Sequence, residues 1–425
     1  MSQWSSKFGF IFAAIGAAVG LGNIWRFPVV VQNNGGGAFL LPYLFCTFFF
    51  GVTLMIVEVS GGREWGSDVV TTFKGLKRSW VGWIIATVVT LELSYYLVIV
   101  GWVFGYIFIA ATGFGVSFND FTSTLVPIVF FVGATLLTGY IVSRGVEDGI
   151  EKMVQFSIPF LFITLIIMVG ISFTLPGFSK GVSYFLEPDF SALTHPGLWA
   201  AAFGQAFFSL SIGDGELLTY GSYLGEDSSI PKMSVVITVA NFFIAFLVGF
   251  IIFPLIFTFH DSASSIEGGR ALAFKILPKI FETMPFGTIF GVVFFIFLFV
   301  AAISSAIALF NVGNAVWIGK GVDQKKSATM MTGLLLILGI PSALSYSSVG
   351  FSPFGLPWLD MMDIDTGTYG LTFSSLLTAV GFTWYMKKDV VKKNAIYYIV
   401  KYILPIALAL NIVINLYDDL ILGNT

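Results

Sequence analysis

The strongest constraint on the fold is the stretch Gly16-Ala-Ala-Val-Gly-Leu-Gly-Asn-Ile-Trp-Arg-Phe-Pro28. It lies in an apolar segment long enough to cross a membrane, but three glycines in seven residues weaken the helix there, and Asn23 and Arg26 put polar groups at membrane depth. Irregular backbone is tolerated in a bilayer only where it is buried in protein or lines a polar cavity. The stretch therefore predicts a broken membrane helix whose free carbonyl groups and half-helix ends bind ions. Glycine-mediated helix packing is the competing interpretation, but it explains neither polar residue.

The composition is typical of a membrane protein with many spans. Hydrophobic residues make up 56% of the chain and charged residues 11%, whereas a soluble domain carries roughly 25% charged residues. No basic block is long enough to indicate nucleic-acid binding. The single cysteine, Cys46, excludes a disulfide framework and a zinc cluster. We find no nucleophile–base pair in the apolar segments, so we do not expect an enzyme.

Eleven segments are apolar enough to be membrane spans of about 20 residues. They are residues 8–31, 38–60, 82–113, 124–143, 152–175, 197–223, 231–257, 285–312, 328–346, 366–386 and 395–417. Most lysines and arginines fall in the loops on one side, which the positive-inside rule assigns to the cytoplasm together with the N-terminus.

An internal repeat supports this prediction. The sixth span contains Phe208-Ser-Leu-Ser-Ile-Gly-Asp-Gly215, a second polar, glycine-interrupted stretch. Paired interruptions at corresponding positions indicate a transporter site at the bilayer midplane. We predict a first five-span repeat over 1–175, an extracellular loop over 176–196 and an inverted second repeat over 197–386. An eleventh span and a short tail follow over 387–425.

The chain resembles the neurotransmitter:sodium symporter family. The resemblance rests on Trp4, the Gly16–Pro28 stretch and further motifs in family order. These motifs are Asn34-Gly-Gly-Gly-Ala-Phe39, Tyr95-Tyr96, Gly204-Gln205-Ala-Phe-Phe-Ser-Leu-Ser211, Asn241, Ala301-Ala-Ile-Ser-Ser305 and Leu359-Asp-Met-Met-Asp363. The resemblance implies an all-α integral membrane protein with the LeuT-type 5+5 inverted repeat, broken first and sixth spans and one extra span.

Two sodium sites and a possible chloride site are implied by the resemblance. The first sodium site would use Ala18, Asn23, Ser209 and Asn241, and the second Gly16, Val19, Ala301, Ser304 and Ser305. Oxygen ligands of these kinds suit a small hard cation. The competing interpretation is that the serines bond to carbonyls of their own helix. Chloride would bind near Tyr43, Gln205, Ser209 and Asn241.

The resemblance also implies an amino-acid pocket between spans 1, 3, 6 and 8. The family's monoamine transporters have an aspartate where this chain has Gly20, so the substrate is expected to bring its own carboxylate, which Tyr96 would bind. The residues implied for substrate binding are Ala17, Ala18, Leu21, Gly22, Glu92, Tyr96, Phe208, Ser209, Ser211, Asp214, Ser305 and Leu309.

Glu92 and Asp214 depart from the apolar residues usual in the family. Intramembrane carboxylates are costly and are functional by default. One explanation is a cationic substrate side chain, as in lysine. A second is charge balance, because the family's span 7 glutamate is replaced here by Ala245. In the third explanation Asp214 caps a helix and Glu92 is protonated because burial disfavours its charge.

Gates above and below the pocket are also implied by the resemblance. Arg26 and Asp363 correspond to the extracellular ion pair, with Tyr96 and Phe208 as the lid beneath it. The intracellular ion pair is missing, since its positions are Met1 and Gly319, while Trp4, Ser222 and Tyr223 remain.

The expected function is sodium-coupled uptake of an amino acid by alternating access, by a multi-pass protein of the plasma membrane. The alternatives are the same symporter for neutral or hydrophobic amino acids and, more remotely, a non-transporting sensor or channel of the same fold. The expected partners are the amino acid and the lipid bilayer, with no nucleic acid. The sequence leaves the exact amino acid, chloride dependence and oligomeric state open.

Overall fold

Helices are the only regular secondary structure in the described part of the protein, whose computed structural model covers residues 4–226, 228–260, 272–385 and 395–417. The long helices and those of the two breaks are Lys7–Ala18, Gly22–Asn33, Gly36–Trp65, Ser79–Ala111, Val126–Ser143, Val146–Ser172, Pro196–Ser209, Glu216–Gly221, Ile230–Phe259, Gly287–Gly319, Gln324–Ser345, Leu371–Trp384 and Ala395–Tyr417. Shorter helices lie between them at Val69–Gly75, Phe118–Thr122, Phe178–Leu186, Phe190–Thr194, Leu272–Ile276, Leu277–Thr283 and Trp358–Met362.

Eight helices of the described ranges are long and apolar enough to cross a membrane, and a bent helix pair over residues 7–33 brings the number to nine. Residues 197–223, the sixth predicted span, form two shorter helices separated by an unwound stretch. The tenth predicted span, 366–386, is helical up to Trp384 and begins in the π-helical turns Asp363–Gly370. The total of eleven spans stays a prediction.

The first break lies where the glycine-rich stretch predicted it. Helix Lys7–Ala18 begins at Ser6, whose side chain accepts a hydrogen bond from the Gly9 N–H, and it ends at Val19. Val19 has an extended backbone, with φ −90° and ψ 94°. The chain becomes helical again just beyond, with π-helical turns from Gly22, and the two arms are bent by 48°. The break frees backbone carbonyl groups in the middle of the molecule.

The second break separates helix Pro196–Ser209 from helix Glu216–Gly221. Ser211, Gly213 and Gly215 have positive φ angles of 50°, 94° and 80°. Glycine adopts this left-handed region without the steric cost that a Cβ brings. Gly213 also packs against Ser375 so closely that a Cβ would overlap its side chain. The sequence Ile-Gly-Asp-Gly therefore dictates the unwinding of the sixth span.

Two helices of 33 residues each, Ser79–Ala111 and Gly287–Gly319, pack against each other at the centre of the bundle. Helix Lys7–Ala18 packs on Gly287–Gly319, so the first break faces the middle of that helix. At the periphery, large apolar side chains such as Phe156 and Ile337 are exposed. An apolar exterior is expected where lipid replaces water as the solvent.

Candidate functional site

The four residues predicted for the first sodium site lie together beside the first break. Asn23 is fully buried, and its Nδ2 donates to Oδ1 of Asn241 at 2.7 Å. Ser209 donates from Oγ to Oδ1 of Asn23 at 3.3 Å and accepts from Nδ2 of Asn241 at 2.8 Å. Three spans thus contribute uncharged polar groups to one buried cluster.

The amide of Asn241 places its oxygen close to two other acceptors. Oδ1 lies 3.0 Å from the carbonyl oxygen of Ser209 and 3.3 Å from that of Ala18. Oxygens this close repel each other unless a cation lies between them or the amide turns by 180° and donates its N–H groups instead. Carbonyl, amide and hydroxyl oxygens are ligands that suit a small hard cation. The donor set therefore fits sodium. Rotation of the Asn241 amide would let it donate to both carbonyls, but it would also set its nitrogen 2.7 Å from Nδ2 of Asn23.

The residues predicted for the second sodium site meet where the break faces helix Gly287–Gly319. Ser305 donates from Oγ to the carbonyl oxygens of Gly16 at 3.2 Å and Ala17 at 2.9 Å. Ser304 instead donates to the carbonyl of Ala301 in its own helix at 2.8 Å, as the competing interpretation expects. The structure brings together Gly16, Ser304 and Ser305, and it buries Val19 and Ala301.

A cavity lies between the two breaks and helices Ser79–Ala111 and Gly287–Gly319. It contains every residue predicted for substrate binding except Ser209, which lies in the Asn23 cluster. Its lining is Ala17, Ala18, Gly20, Leu21, Gly22, Glu92, Tyr96, Phe208, Ser211, Asp214, Glu216, Ser305, Leu309 and Leu371.

Gly20 leaves no space for a side chain at the centre of the cavity. A Cβ on Gly20 would overlap Oγ of Ser305 and lie 3.0 Å from the hydroxyl of Tyr96. That hydroxyl is buried and makes no hydrogen bond of standard geometry. A protein carboxylate therefore does not fit here, whereas the backbone and the hydroxyl of Tyr96 line the cavity at this point.

Four buried carboxyl groups surround the second break, namely those of Glu58, Glu92, Asp214 and Glu216. Glu58 accepts from the N–H of Gly213 at 2.8 Å, and Asp214 accepts from the N–H of Glu216 at 3.0 Å. The cavity lining contains no lysine or arginine. The hydrogen bond that Asp214 accepts matches the capping explanation for that residue. Glu92 and Glu216 accept no such bond from the backbone.

Sequence reasoning missed Glu58, Glu216 and Leu371. Glu58 lies inside an apolar run, and the rule that intramembrane carboxylates are functional would have found it. Glu216 follows two residues after Asp214, so its position in the break could have been inferred from the sequence. Leu371 has no local signal, because it enters the cavity from a helix that is distant in the chain.

The residues predicted for the outer gate lie at one end of this cavity. The guanidinium of Arg26 lies 4.2 Å from the ring centre of Phe208, a cation–π distance. Asp363 accepts at Oδ1 from the hydroxyl of Tyr95 at 3.0 Å. Arg26 thus packs on Phe208, one of the two aromatic lid residues. Asp363 is hydrogen-bonded to Tyr95, which precedes the other lid residue, Tyr96.

The residues predicted for chloride are close to one another and adjoin the Asn23 cluster. The hydroxyl of Tyr43 donates to Oγ of Ser209 at 3.2 Å, and Nε2 of Gln205 donates to the carbonyl of Gly22 at 3.0 Å. Ser209 also accepts from Asn241, so it connects the residues predicted for chloride to those predicted for the first sodium site. Chloride binding stays a prediction.

At the opposite end of the bundle, Trp4 fastens the start of the chain to the second break. Its indole donates to the carbonyl of Tyr220 at 3.0 Å, and its ring packs edge-on against Tyr220 and Tyr223. Tyr223 in turn accepts from Nδ2 of Asn311 at 3.2 Å. The predicted inner gate residues Trp4 and Tyr223 are therefore in contact, while position 1 lies outside the described residues.

Glu151 provides a second attachment for the start of the chain, which sequence reasoning missed. Its carboxylate accepts from the N–H of Ser5 at 2.9 Å and from Nε2 of Gln155 at 3.1 Å. The hydroxyls of Ser5 and Ser6 also donate to it. Gly9 permits the approach, because a Cβ there would overlap the carboxylate. Glu151 ends the π-helical turns Val146–Glu151 that begin its helix.

Comparisons with known proteins agree with this fold. A model of the sodium:neurotransmitter symporter family matches residues 1–124 and 116–402. The uncharacterised sodium-dependent transporter YhdH of Bacillus subtilis is 36% identical over 398 residues, which cover 89% of this chain and 86% of that protein. A sodium-dependent transporter of Methanocaldococcus jannaschii is 33% identical over 425 residues, 92% of this chain and 83% of the relative.

A solved structure is similar to this chain to about the same degree of sequence identity. The crystal structure of MhsT in complex with L-phenylalanine matches with a TM-score of 0.88 and 34% identity, over 97% of this chain and 99% of that chain. The paired helix breaks and the central cavity define a membrane transporter with the LeuT-type fold, as predicted. The chain belongs to the sodium:neurotransmitter symporter family, so it is a sodium-dependent transporter and not an enzyme.

Proposed function

We propose that this transporter carries an amino acid into the cell together with sodium, as a multi-pass protein of the plasma membrane. Sodium binds at the two clusters beside the first break. One charge that crosses the membrane yields about 2.3 kcal/mol per 100 mV, so sodium entry drives accumulation of the substrate. Spans 1, 2, 6 and 7 move against the rest to expose the cavity to each side in turn.

The buried hydroxyl of Tyr96 opposite Gly20 is the observation that carries this proposal. It is a buried donor without a standard hydrogen bond, at a position where no protein side chain fits. Leaving such a donor unsatisfied costs about 1–3 kcal/mol, and a substrate carboxylate would satisfy it. The backbone at the break adds N–H groups that favour an anion. An amino acid supplies the carboxylate, whereas an amine does not.

The Asn23 cluster supports coupling of the substrate to sodium. Its acceptors come from the two broken spans and from helix Ile230–Phe259, so a cation held among them joins parts of the bundle that alternating access moves. The cluster adjoins the cavity through Ala18, which belongs to both. A substrate carboxylate at Gly20 then lies near the first sodium ion, and each favours binding of the other.

The side chain of the substrate is cationic in our proposal, as in lysine, because acidic residues line the cavity without a basic partner in that lining. The second candidate is a neutral amino acid, bound while the acids carry protons. The hydrogen bond that Asp214 accepts from the Glu216 N–H satisfies one acid without a cationic substrate, so that acid does not by itself require the first candidate. The phenylalanine bound to MhsT supports an amino-acid substrate and also agrees with the second candidate.

Thermal stabilisation of the purified protein tests the proposal. A ligand that binds the native state raises the unfolding temperature, so we expect at least one common amino acid to stabilise the protein in sodium but not in potassium. Biogenic amines that lack a carboxylate serve as the matched set and should have no effect. Stabilisation by amines alone would contradict the proposal.

Counterflow in liposomes separates a transporter from a sensor or channel of the same fold. Vesicles loaded with the stabilising amino acid should accumulate labelled substrate in a sodium-dependent manner. A sensor binds the amino acid and exchanges none of it. The variant Asn23→Ala, which removes a predicted sodium ligand, is the negative control.

A further inference from the structure

The four buried carboxyl groups at the second break differ in their hydrogen bonds. Glu58 and Asp214 each accept from a backbone N–H of the break, at Gly213 and Glu216 respectively. Such bonds satisfy the carboxylate and fix the unwound backbone at the same time. These two acids therefore have a structural role that requires no ligand.

Glu216 and Glu92 lack such partners. Neither carboxyl oxygen of Glu216 makes a hydrogen bond of standard geometry, and the neutral hydroxyl of Ser211 is its polar side-chain neighbour; Oε2 of Glu92 also makes none. Their exposed fractions are 0% and 4%, so both side chains are shielded from bulk water. Both residues line the central cavity, which has no lysine or arginine in its lining.

We propose that Glu216, together with Glu92, binds the cationic end of the substrate's side chain, and that Asp214 shapes the break instead. This inference rests on the proposed amino-acid transport. It keeps Glu92 from the Glu92 and Asp214 pair that the sequence indicates, and it replaces Asp214 with Glu216. A buried carboxylate without a cationic partner is strongly disfavoured, and the charged side chain of the substrate supplies that partner.

The spacing within the cavity agrees with a long side chain. Tyr96, which faces the expected substrate carboxylate, and Glu92 are four residues apart on one face of helix Ser79–Ala111. Four residues of helix rise about 6 Å. Lysine carries its ammonium on a flexible four-carbon stem, which suits a carboxylate at one end of this separation and a cation at the other.

L-lysine and L-norleucine are matched probes, because norleucine is lysine without its terminal ammonium. We expect the wild type to bind lysine at least about tenfold more tightly than norleucine in the presence of sodium. Glu216→Gln and Glu92→Gln should each lower this ratio by about tenfold. Asp214→Asn should change both affinities by the same factor and keep the ratio. Glu147→Gln, at an exposed acid distant from the cavity, is the control.

Norleucine binding in each variant shows that the variant is folded. If Glu216→Gln does not bind norleucine, the ratio measured in Glu92→Gln tests the inference instead. A wild type that prefers norleucine would overturn this inference and leave amino-acid transport standing. So would a ratio that falls in Asp214→Asn but not in Glu216→Gln. If no amino acid stabilises the wild type in sodium, the proposed function itself fails.

Discussion

The two helix breaks both unwind an apolar helix, but the side chains around them differ in charge. Around the first break the buried polar groups are uncharged, as in Asn23, Asn241 and Ser305, while Arg26 is partly exposed at the outer gate. Around the second break four carboxyl groups are buried. An unwound membrane helix therefore does not by itself determine what binds there, because the side chains that face it set its charge. We infer that the uncharged break serves sodium and the substrate carboxylate, while the acidic break selects the substrate side chain.

Removal of a ligand from the uncharged break should have the largest effect. Asn23→Ala should weaken sodium-dependent binding of the substrate about 100-fold, since loss of a buried polar partner costs up to about 3 kcal/mol. The affinity is measured with a labelled amino acid over a range of sodium concentrations. Asn415→Ala is a matched control, because Asn415 also forms an amide–amide hydrogen bond, with Asn411, in the last helix. Unchanged sodium dependence in Asn23→Ala would contradict the inference that the first break serves sodium.

An acid placed in the uncharged break tests whether its neutrality matters. Gly20→Asp and Gly20→Asn introduce side chains of nearly equal size next to Ser305 and Tyr96, so both should weaken binding. The aspartate should also repel the substrate carboxylate and bind it about tenfold more weakly than the asparagine variant does, which corresponds to about 1.4 kcal/mol. Equal affinities in the two variants would show that charge at this break is irrelevant.

Loss of one hydroxyl should have a smaller effect. Ser305→Ala removes the donor to the carbonyls of Gly16 and Ala17 and a predicted sodium ligand, so we expect the sodium affinity to fall about fivefold, or about 1 kcal/mol. The preference between lysine and norleucine should not change, because it is set at the other break. Ser342→Ala is the control, since Ser342 is buried in helix Gln324–Ser345 and its hydroxyl makes no standard hydrogen bond. A changed preference in Ser305→Ala would contradict a division of roles between the breaks.

The outer gate should affect transport without affecting either break. Asp363→Asn keeps the side chain's size but removes its charge, so we expect uptake to fall about threefold while equilibrium binding changes less than twofold. A favourable charge pair near a surface contributes at most about 1 kcal/mol, which corresponds to a factor of about five. Uptake and binding are measured on the same preparation. Wild-type uptake would show that Asp363 is not part of the gate.

The sequence predicted the breaks well because each carries its own local signal. Glycines and polar residues interrupt otherwise apolar segments at Gly16–Pro28 and at Phe208–Gly215. The resemblance then supplied eleven of the cavity's lining residues. It did not supply Glu216, because the family pattern directs attention to Asp214, and hydrogen bonds that distinguish the two acids cannot be read from spacing.

Other features depend on contacts between distant parts of the chain. Glu151 holds Ser5 across 146 positions, and no periodicity or motif relates the two residues. Likewise, Gly319 occupies the position of an expected gate aspartate, and the structure places the carboxylate of Asp68 where a side chain of Gly319 would lie. A single sequence does not show that a carboxylate from a distant part of the chain takes the place of a missing side chain.

The attachment of the N-terminal segment to Glu151 has a consequence for how this end of the protein responds to its surroundings. Ion pairs weaken as dissolved salt screens their charges, but the donors to Glu151 are the neutral N–H and hydroxyl groups of Ser5 and Ser6 and the amide of Gln155. The attachment of the N-terminal segment is therefore insensitive to ionic strength and sensitive to which residues occupy the first few positions. We therefore expect a bulky or charged addition near Ser5 to break these hydrogen bonds and to separate the N-terminal segment from the helix that starts with Val146.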